Sequence, residues 1–97
     1  MYRSRKLLDS ARDMPCTWPL THNCAGDVVA AHSNQLRDGH GRSIKAHDYR
    51  IAYLCCAAHF ELDQGSKLTK QERREAWDEA HRVSVGLIFD RGVVRVA

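Results

Sequence analysis

Thiol, imidazole and carboxylate groups cluster in the stretch YLCCAAHFELD, residues 53 to 63 of this 97-residue chain. Cys55 and Cys56 stand side by side, His59 follows three residues after the second cysteine, and Asp63 ends the stretch. Thiolates and imidazoles suit zinc, whereas carboxylates suit harder divalent cations such as magnesium or manganese. Two kinds of metal chemistry are therefore open to this segment.

Three cysteines are spaced so that a loop and a strand end could bring them to one metal ion. Cys16 and Cys24 are separated by seven residues in PCTWPLTHNCAG, where two prolines and a glycine exclude a helix and favour a compact loop. Cys55 would be the third ligand of a tetrahedral structural zinc site, with Cys56 as the fourth thiol. The alternative is that the cysteines are small buried apolar residues without an ion.

A second group of side chains could act on phosphates. His32 ends a predicted strand, and His59 and Asp63 lie one helical turn apart on a predicted helix, so they share a face. That pair could hold a catalytic divalent cation while His32 takes a proton from water. Each residue also has a plainer interpretation: a core histidine at position 32, and a surface contact within the helical pair. Glu61 lies off the shared face and is interpreted as a surface residue.

A basic loop could add contacts to a nucleic acid. The segment NQLRDGHGRSIKAHD carries Arg37, Arg42 and Lys45, which could contact phosphates. A solvated surface loop is the alternative for each of them. The formal charge of +3 and the isoelectric point of about 8.8 permit nucleic-acid binding without requiring it.

The hydrophobic pattern predicts the elements that would position these side chains. DVVAAHS, residues 27 to 33, and YRIAYLC, residues 49 to 55, predict two strands, and residues 57 to 64 predict a short helix. Together they form a ββα core spanning about residues 27 to 64. The predicted fold class is therefore α+β, in one small domain covering residues 1 to 97.

Further elements flank this core. Thr69 and Glu72 form the capping box T-x-x-E of a C-terminal helix that is predicted to reach about Phe89. A short helical pattern around Leu7 precedes the cysteine loop. A short terminal strand is predicted in GVVRVA, after the glycine that ends the helix.

Length and composition narrow the classes of protein that remain. The chain is 43% hydrophobic and 28% charged, which is ordinary for a globular domain, although its core is small enough to benefit from a metal site. No apolar run is long enough for an export signal or a membrane span, so a cytoplasmic location is expected. Reducing conditions there favour metal ligation or burial of the four cysteines over disulfides.

The ordered motifs VVAAHSN, KAHDYRIAYLC and HFELD resemble the ββα-metal core of HNH-type endonucleases. More closely, residues 7 to 97 resemble the small phage- and prophage-borne nucleases of the YbcO type, in the order C-x7-C, A-H, G-x-G, K-x-x-D, L-C, H-x-E-x-D and G-V-x-x-V. The resemblance implies a metal-dependent DNA endonuclease in phage or prophage DNA processing or recombination. It also implies the cytoplasm of a bacterial host as location, and DNA and a phage recombination or replication protein as partners.

The resemblance implies a role for each matching position. His32 would be the general base, and Asp48, at a position that is usually asparagine, would fix the loop and support the site. His59 would bind the catalytic metal ion, and Asp63 stands where related nucleases often have a second histidine. The zinc-ligand cysteines of the family are matched by Cys16, Cys24 and Cys55.

Two departures from the family pattern bear on function. Related nucleases commonly end the second strand with L-C-x-x-C-H, whereas LCCAAH has Ala58 at the second cysteine. Either Cys56 substitutes for it or the zinc is absent. Ala31 precedes His32, where many HNH sites carry two acidic or histidine residues. A catalytically inactive HNH-like module that binds nucleic acid or protein is therefore the alternative. A third hypothesis is a thiol redox or metal-sensing protein built on Cys55 and Cys56.

Overall fold

The computed structural model describes residues 2–38, 40–41, 45–65 and 67–95, so Arg42 lies outside the described residues. The described residues form a small α+β domain with one two-stranded antiparallel sheet and three α-helices. In chain order the elements are α1 (Arg5–Asp9), a 3-10 helix (Ser10–Asp13), β1 (Val28–His32), a second 3-10 helix (Leu36–Asp38), β2 (Ile51–Cys55), α2 (Cys56–Asp63) and α3 (Lys70–Asp90). In the described part of the chain, no helix combines the length and the apolar character needed to cross a bilayer.

The pairing of β1 with β2 sets the positions of the candidate site residues. Val28 pairs with Cys55 at one end of the ladder, and His32 pairs with Ile51 at the other. Four residues of extended chain span about 13 Å. Cys55, a candidate zinc ligand, and His32, the candidate general base, therefore lie at opposite ends of the β1–β2 ladder.

Helix α3 covers β2, all five residues of which are buried. The indole Nε1 of Trp77 donates a hydrogen bond to the carbonyl of Ala31 at 3.3 Å, which ties the helix to the sheet. The buried hydroxyl of Ser84 donates to the carbonyl of Ala80 at 2.8 Å and accepts from the N–H of Tyr53 at 3.0 Å. Because these polar groups are paired inside the core, α3 holds a defined position over the sheet.

The ends of α3 show where local sequence signals hold and where they fail. The capping box of Thr69 and Glu72 is present as predicted. At the other end Gly92 takes a left-handed φ of 69°, its N–H bonds to Phe89, and the N–H of Val93 bonds to Ile88. These contacts form a Schellman motif that turns the chain back on the helix. The terminal strand predicted in GVVRVA is therefore not formed in residues 92 to 95; residues 96 and 97 lie outside the described part.

Candidate functional site

Cys16, His22, Cys24 and Cys55 form a cluster in which one ligand atom from each residue lies within 4.8 Å of all the others. The Nε2 atom of His22 is 3.6 Å from the Sγ atom of Cys16, 3.3 Å from that of Cys24 and 3.5 Å from that of Cys55. A sulfur and a nitrogen bound tetrahedrally at zinc bond lengths would be about 3.6 Å apart. The donor types and spacings therefore fit a Cys3His group that could bind a metal such as zinc.

Backbone contacts between the cysteine loop and the β2–α2 junction build this cluster. The N–H of Thr17 donates to the carbonyl of Tyr53 at 2.8 Å, which places Cys16 beside the end of β2. Cys16 Sγ accepts a hydrogen bond from the N–H of Cys55, and Cys55 Sγ caps α2 by accepting from the N–H of Ala58, each at 3.4 Å. One thiol thus serves both as a helix cap and as a candidate metal ligand.

The surroundings of Cys55 favour its thiolate, which is the form that binds metals. Burial raises the pKa of the Cys55 thiol, but hydrogen bonds from the backbone of Ala58 and Ala25 and from His22 lower it to about 6. The hydrogen bond between Cys24 and Cys55 raises the pKa of Cys24 to about 11. Ionisation of one of these two thiols therefore disfavours ionisation of the other, and a bound cation would relieve that opposition.

His22 is the candidate ligand that sequence reasoning missed. Its Nδ1 atom donates to the carbonyl of Leu20 at 2.8 Å, so Nε2 faces the thiols. A hydrogen bond of this kind fixes the tautomer and ring orientation of metal-binding histidines. Nε2 donates to Cys55 while the ring is protonated, and it presents a lone pair to the cluster once that proton is lost. The signal was present as C-x5-H-x-C, since His22 stands between Cys16 and Cys24 in the loop.

Cys56, predicted as the fourth thiol, does not join the cluster. Its exposed Sγ atom lies 3.5 Å from the carbonyl oxygen of Asp27. The physical reason is that α2 begins at Cys56, so Cys55 takes the capping position while Cys56 faces Gly26. Where Ala58 replaces the second cysteine of the family pattern, the fourth donor in the cluster is therefore the imidazole of His22 and not the thiol of Cys56.

His32 and Asp48 form a hydrogen-bonded pair at the other end of β1. The Nε2 atom of His32 lies 2.8 Å from Oδ1 of Asp48, whose side chain is only 3% exposed. Asp48 also accepts from the backbone N–H of Ser4 and from the guanidinium of Arg3. Burial raises the pKa of Asp48, but the hydrogen bonds from His32, Ser4 and Arg3 outweigh burial and lower it. A carboxylate only accepts hydrogen bonds, so Nε2 of His32 carries the proton and Nδ1 keeps its lone pair.

His59 and Asp63 form an ion pair one turn apart on α2, with Nε2 3.0 Å from Oδ2. The hydrogen bond to Asp63 raises the pKa of His59 above its usual value. Together with His32 the pair lines an open cleft of about 580 Å³, which we call the histidine cleft. Within the described residues, however, the Cys3His cluster is the only set of three or more such donors gathered within 4.8 Å. The histidine cleft thus offers an ion two adjacent donors, with His32 standing apart.

The predicted phosphate contacts have different surroundings. Arg37 forms an ion pair with Asp78 on α3 and lies 3.7 Å from Asp38, so its charge is already matched within the fold. Lys45 is exposed and lines the histidine cleft. Of these two described residues, only Lys45 is therefore placed to meet a ligand in the cleft.

Replacing Asp48 with asparagine is expected to cost about 3 kcal/mol at neutral pH, because the change breaks a buried, charged hydrogen-bond network. The lowered pKa of Asp48 means that its stabilisation is present above the usual value of 3.8 and is lost as pH falls through the folded-state pKa. Urea unfolding at neutral and acid pH should therefore show a smaller acid loss for Asp48→Asn than for the wild type. The control Asp78→Asn removes a half-exposed carboxylate that is paired with Arg37, and it should cost about 1 kcal/mol or less. Equal acid losses in the wild type and Asp48→Asn would contradict this assignment.

No model of a protein family, no curated protein and no solved structure significantly matches this chain. The two sites are accordingly interpreted from their own chemistry. Three thiols and an imidazole lie at one end of β1, and the pair of His32 and Asp48 lies at the other, beside the cleft that His59 and Asp63 also line.

Proposed function

We propose that this chain is a zinc-stabilised, metal-dependent DNA endonuclease that hydrolyses phosphodiester bonds in phage or prophage DNA processing. The observation that carries the proposal is the histidine cleft, where His32, held by Asp48, lies on the same open surface as His59 and Asp63. The antiparallel β1–β2 pair followed directly by α2 also supports it. That order is the order of the ββα-metal unit that the sequence motifs resemble.

The Cys3His cluster is proposed to hold a structural zinc ion. Four protein ligands would fill a tetrahedral shell and leave no open position for substrate, which is typical of structural and not catalytic sites. The ligands join the cysteine loop to the junction of β2 and α2. Because a chain of this size has a small core, such a cross-link would contribute a large part of its stability.

His32 is proposed to act as the general base. Its Nε2–H is held by Asp48, which leaves Nδ1 to take a proton from the attacking water. The lowered pKa of Asp48 keeps this carboxylate ionised, so it also stabilises the imidazolium that forms. Arg3 and Ser4, which precede α1, hold Asp48 in turn, so the orientation of the base depends on the N-terminal segment and on the loop before β2.

His59 and Asp63 are proposed to hold a divalent cation such as magnesium or manganese, whose charge would stabilise the leaving oxygen. The separation of 3.0 Å between their donor atoms equals that of adjacent octahedral ligands at about 2.1 Å. Water and a substrate phosphate would complete the shell, as is common for magnesium. Asp63 raises the pKa of His59, so the cation competes with a proton and should bind more weakly as pH falls.

A plasmid-nicking assay tests the proposed function. Supercoiled DNA should be nicked by the zinc-loaded protein when magnesium, manganese or nickel is added, and should stay intact without the added cation. Zinc content measured before and after the reaction controls for loss of the structural ion. A protein that binds DNA but cuts none with any of these cations would favour the inactive HNH-like binding module.

A further inference from the structure

The histidine cleft continues into a second concavity of about 710 Å³ at the start of α3. Asn34, His40 and Asp63 line both surfaces, so the two form one groove. The far end of this groove is lined by Lys70, Arg73 and Arg74 together with the apolar side chains of Leu62 and Leu68. We call the whole surface the basic groove.

The basic groove concentrates the positive charge of the protein. Five cations line it, against the two carboxylates of Asp9 and Asp63: Arg12, Lys45, Lys70, Arg73 and Arg74. With neutral histidines its formal charge is +3, which equals the formal charge of the entire chain. The rest of the chain therefore has no net formal charge, so long-range attraction of an anion favours this groove.

No carboxylate neutralises the groove cations individually. Among the described residues, none of the five has a carboxylate within 4.0 Å, whereas four arginines outside the groove each form an ion pair: Arg3, Arg37, Arg50 and Arg82. Five described cations outside the groove also lack a carboxylate at that distance, so it is their common location that distinguishes the groove cations: Arg5, Lys6, Lys67, Arg91 and Arg95. Arg73 is partly buried, and its Nε is the one buried side-chain nitrogen or oxygen in the described residues that lacks a hydrogen-bond partner. Such a group costs free energy in the isolated fold.

The arrangement on α3 opposes the rules for a stable helix. Lys70, Arg73 and Arg74 occupy the first turns, where the positive end of the helix dipole disfavours cations. Their spacing of three and four residues also places like charges side by side. An anion bound there would relieve both effects, because backbone dipole and side chains would then act on it together.

We propose that Lys70, Arg73 and Arg74 bind the phosphate backbone of a DNA strand that runs along the basic groove into the histidine cleft. The inference rests on the proposed function for its placement of the scissile phosphate beside His32. Lys45 and Arg12 would contact the strand on the other side of the cleft. Binding in this mode is directed at phosphates and is therefore largely independent of base sequence.

Binding of a fluorescein-labelled DNA duplex, followed by anisotropy without added divalent cations, tests this surface. Each lost phosphate contact should lower affinity about fivefold at about 0.15 M salt and reduce the salt slope by about 0.9. The double variant Lys70→Gln/Arg74→Gln should therefore bind about 30-fold more weakly, with a slope smaller by about 1.8. Arg37→Gln and Arg82→Gln, which remove paired arginines outside the groove, should bind within about twofold of the wild type.

Comparison of binding with cleavage separates this inference from the proposed function. If the double variant keeps the wild-type DNA affinity and salt slope, the basic groove is not the DNA-binding surface, whether or not the wild type cuts DNA. A wild-type protein that does not bind DNA would contradict the inference in the same way. If the double variant loses affinity as expected but the wild type nicks no DNA, the basic groove is supported as the DNA-binding surface and the proposed endonuclease activity is contradicted. Zinc content in the double variant should match the wild type, because both replaced side chains are exposed. Thermal unfolding should occur at the wild-type temperature or slightly above it, because two cations at the positive end of the helix dipole are removed.

Discussion

Replacing His22 with alanine is expected to abolish stable zinc binding and to leave a chain without a cooperative unfolding transition. Structural zinc sites contribute about 10–16 kcal/mol to folding, whereas the net stability of a domain is about 5–15 kcal/mol. Loss of one of four ligands would therefore remove most or all of the folded population. The loop that carries Cys16 and Cys24 has neither helix nor strand between residues 14 and 27, so it depends strongly on this cross-link.

The matched control is Cys56→Ser, which removes the thiol beside Cys55 that lies outside the cluster. This variant should retain about one zinc ion per chain and unfold close to the wild type, because its side chain is exposed and faces Asp27. Metal analysis and circular dichroism of both variants provide the measurements. Zinc retained by His22→Ala and lost from Cys56→Ser would reverse the assignment of the fourth ligand.

Replacing His32 with alanine is expected to lower the rate of DNA cleavage by about 10²–10⁴-fold, the usual contribution of a general base. Zinc content and DNA affinity should stay near the wild-type values, since His32 lies at the opposite end of β1 from the thiols. Single-turnover nicking with saturating cation measures the rate, and anisotropy measures binding. His47→Ala is the control: this imidazole stacks on Tyr49 outside the histidine cleft, and its loss should change the rate only a few-fold.

Asp48→Asn gives a second measure of the same mechanism. In the proposed mechanism Asp48 is a positioning residue, because it would act through the tautomer and orientation of His32. The variant should lower kcat while leaving KM almost unchanged, and its rate should depend differently on pH.

The His32→Ala variant has two outcomes that would contradict its proposed role. If it still cleaves DNA at the wild-type rate, His32 is not the general base. If the variant loses DNA binding together with cleavage, His32 contacts the DNA and does not act as the base.

Local patterns were sufficient for most of the secondary structure. The segments DVVAAHS and YRIAYLC predict the two strands to within two residues at each end, and the capping box of Thr69 and Glu72 marks the start of α3. These signals hold because strand pattern and capping depend on neighbours within a few positions. The predicted strand at the C-terminus failed in residues 92 to 95, because the N–H groups of Gly92 and Val93 bond to the end of α3 instead of a partner strand.

The candidate metal cluster was predicted only in part. The three thiols that the sequence predicts to converge do lie together, since a short loop and a strand end restrict where they can be. The choice of His22 over Cys56 depends on where α2 begins and on the bond between His22 and Leu20. Adjacent cysteines look equivalent in sequence, and only the helix start distinguishes their directions.

Residue type and short-range spacing were enough to predict the strands, the capped helix and the three converging thiols. Contacts between distant parts of the chain were needed to show that Asp48 holds His32 across 16 residues, that Arg37 is paired with Asp78, and that the start of α3 lines the concavity beside the histidine cleft. These pairings join residues from different elements, and their energies depend on burial and on the charges that surround each group. Spacing along the chain carries no information about either quantity.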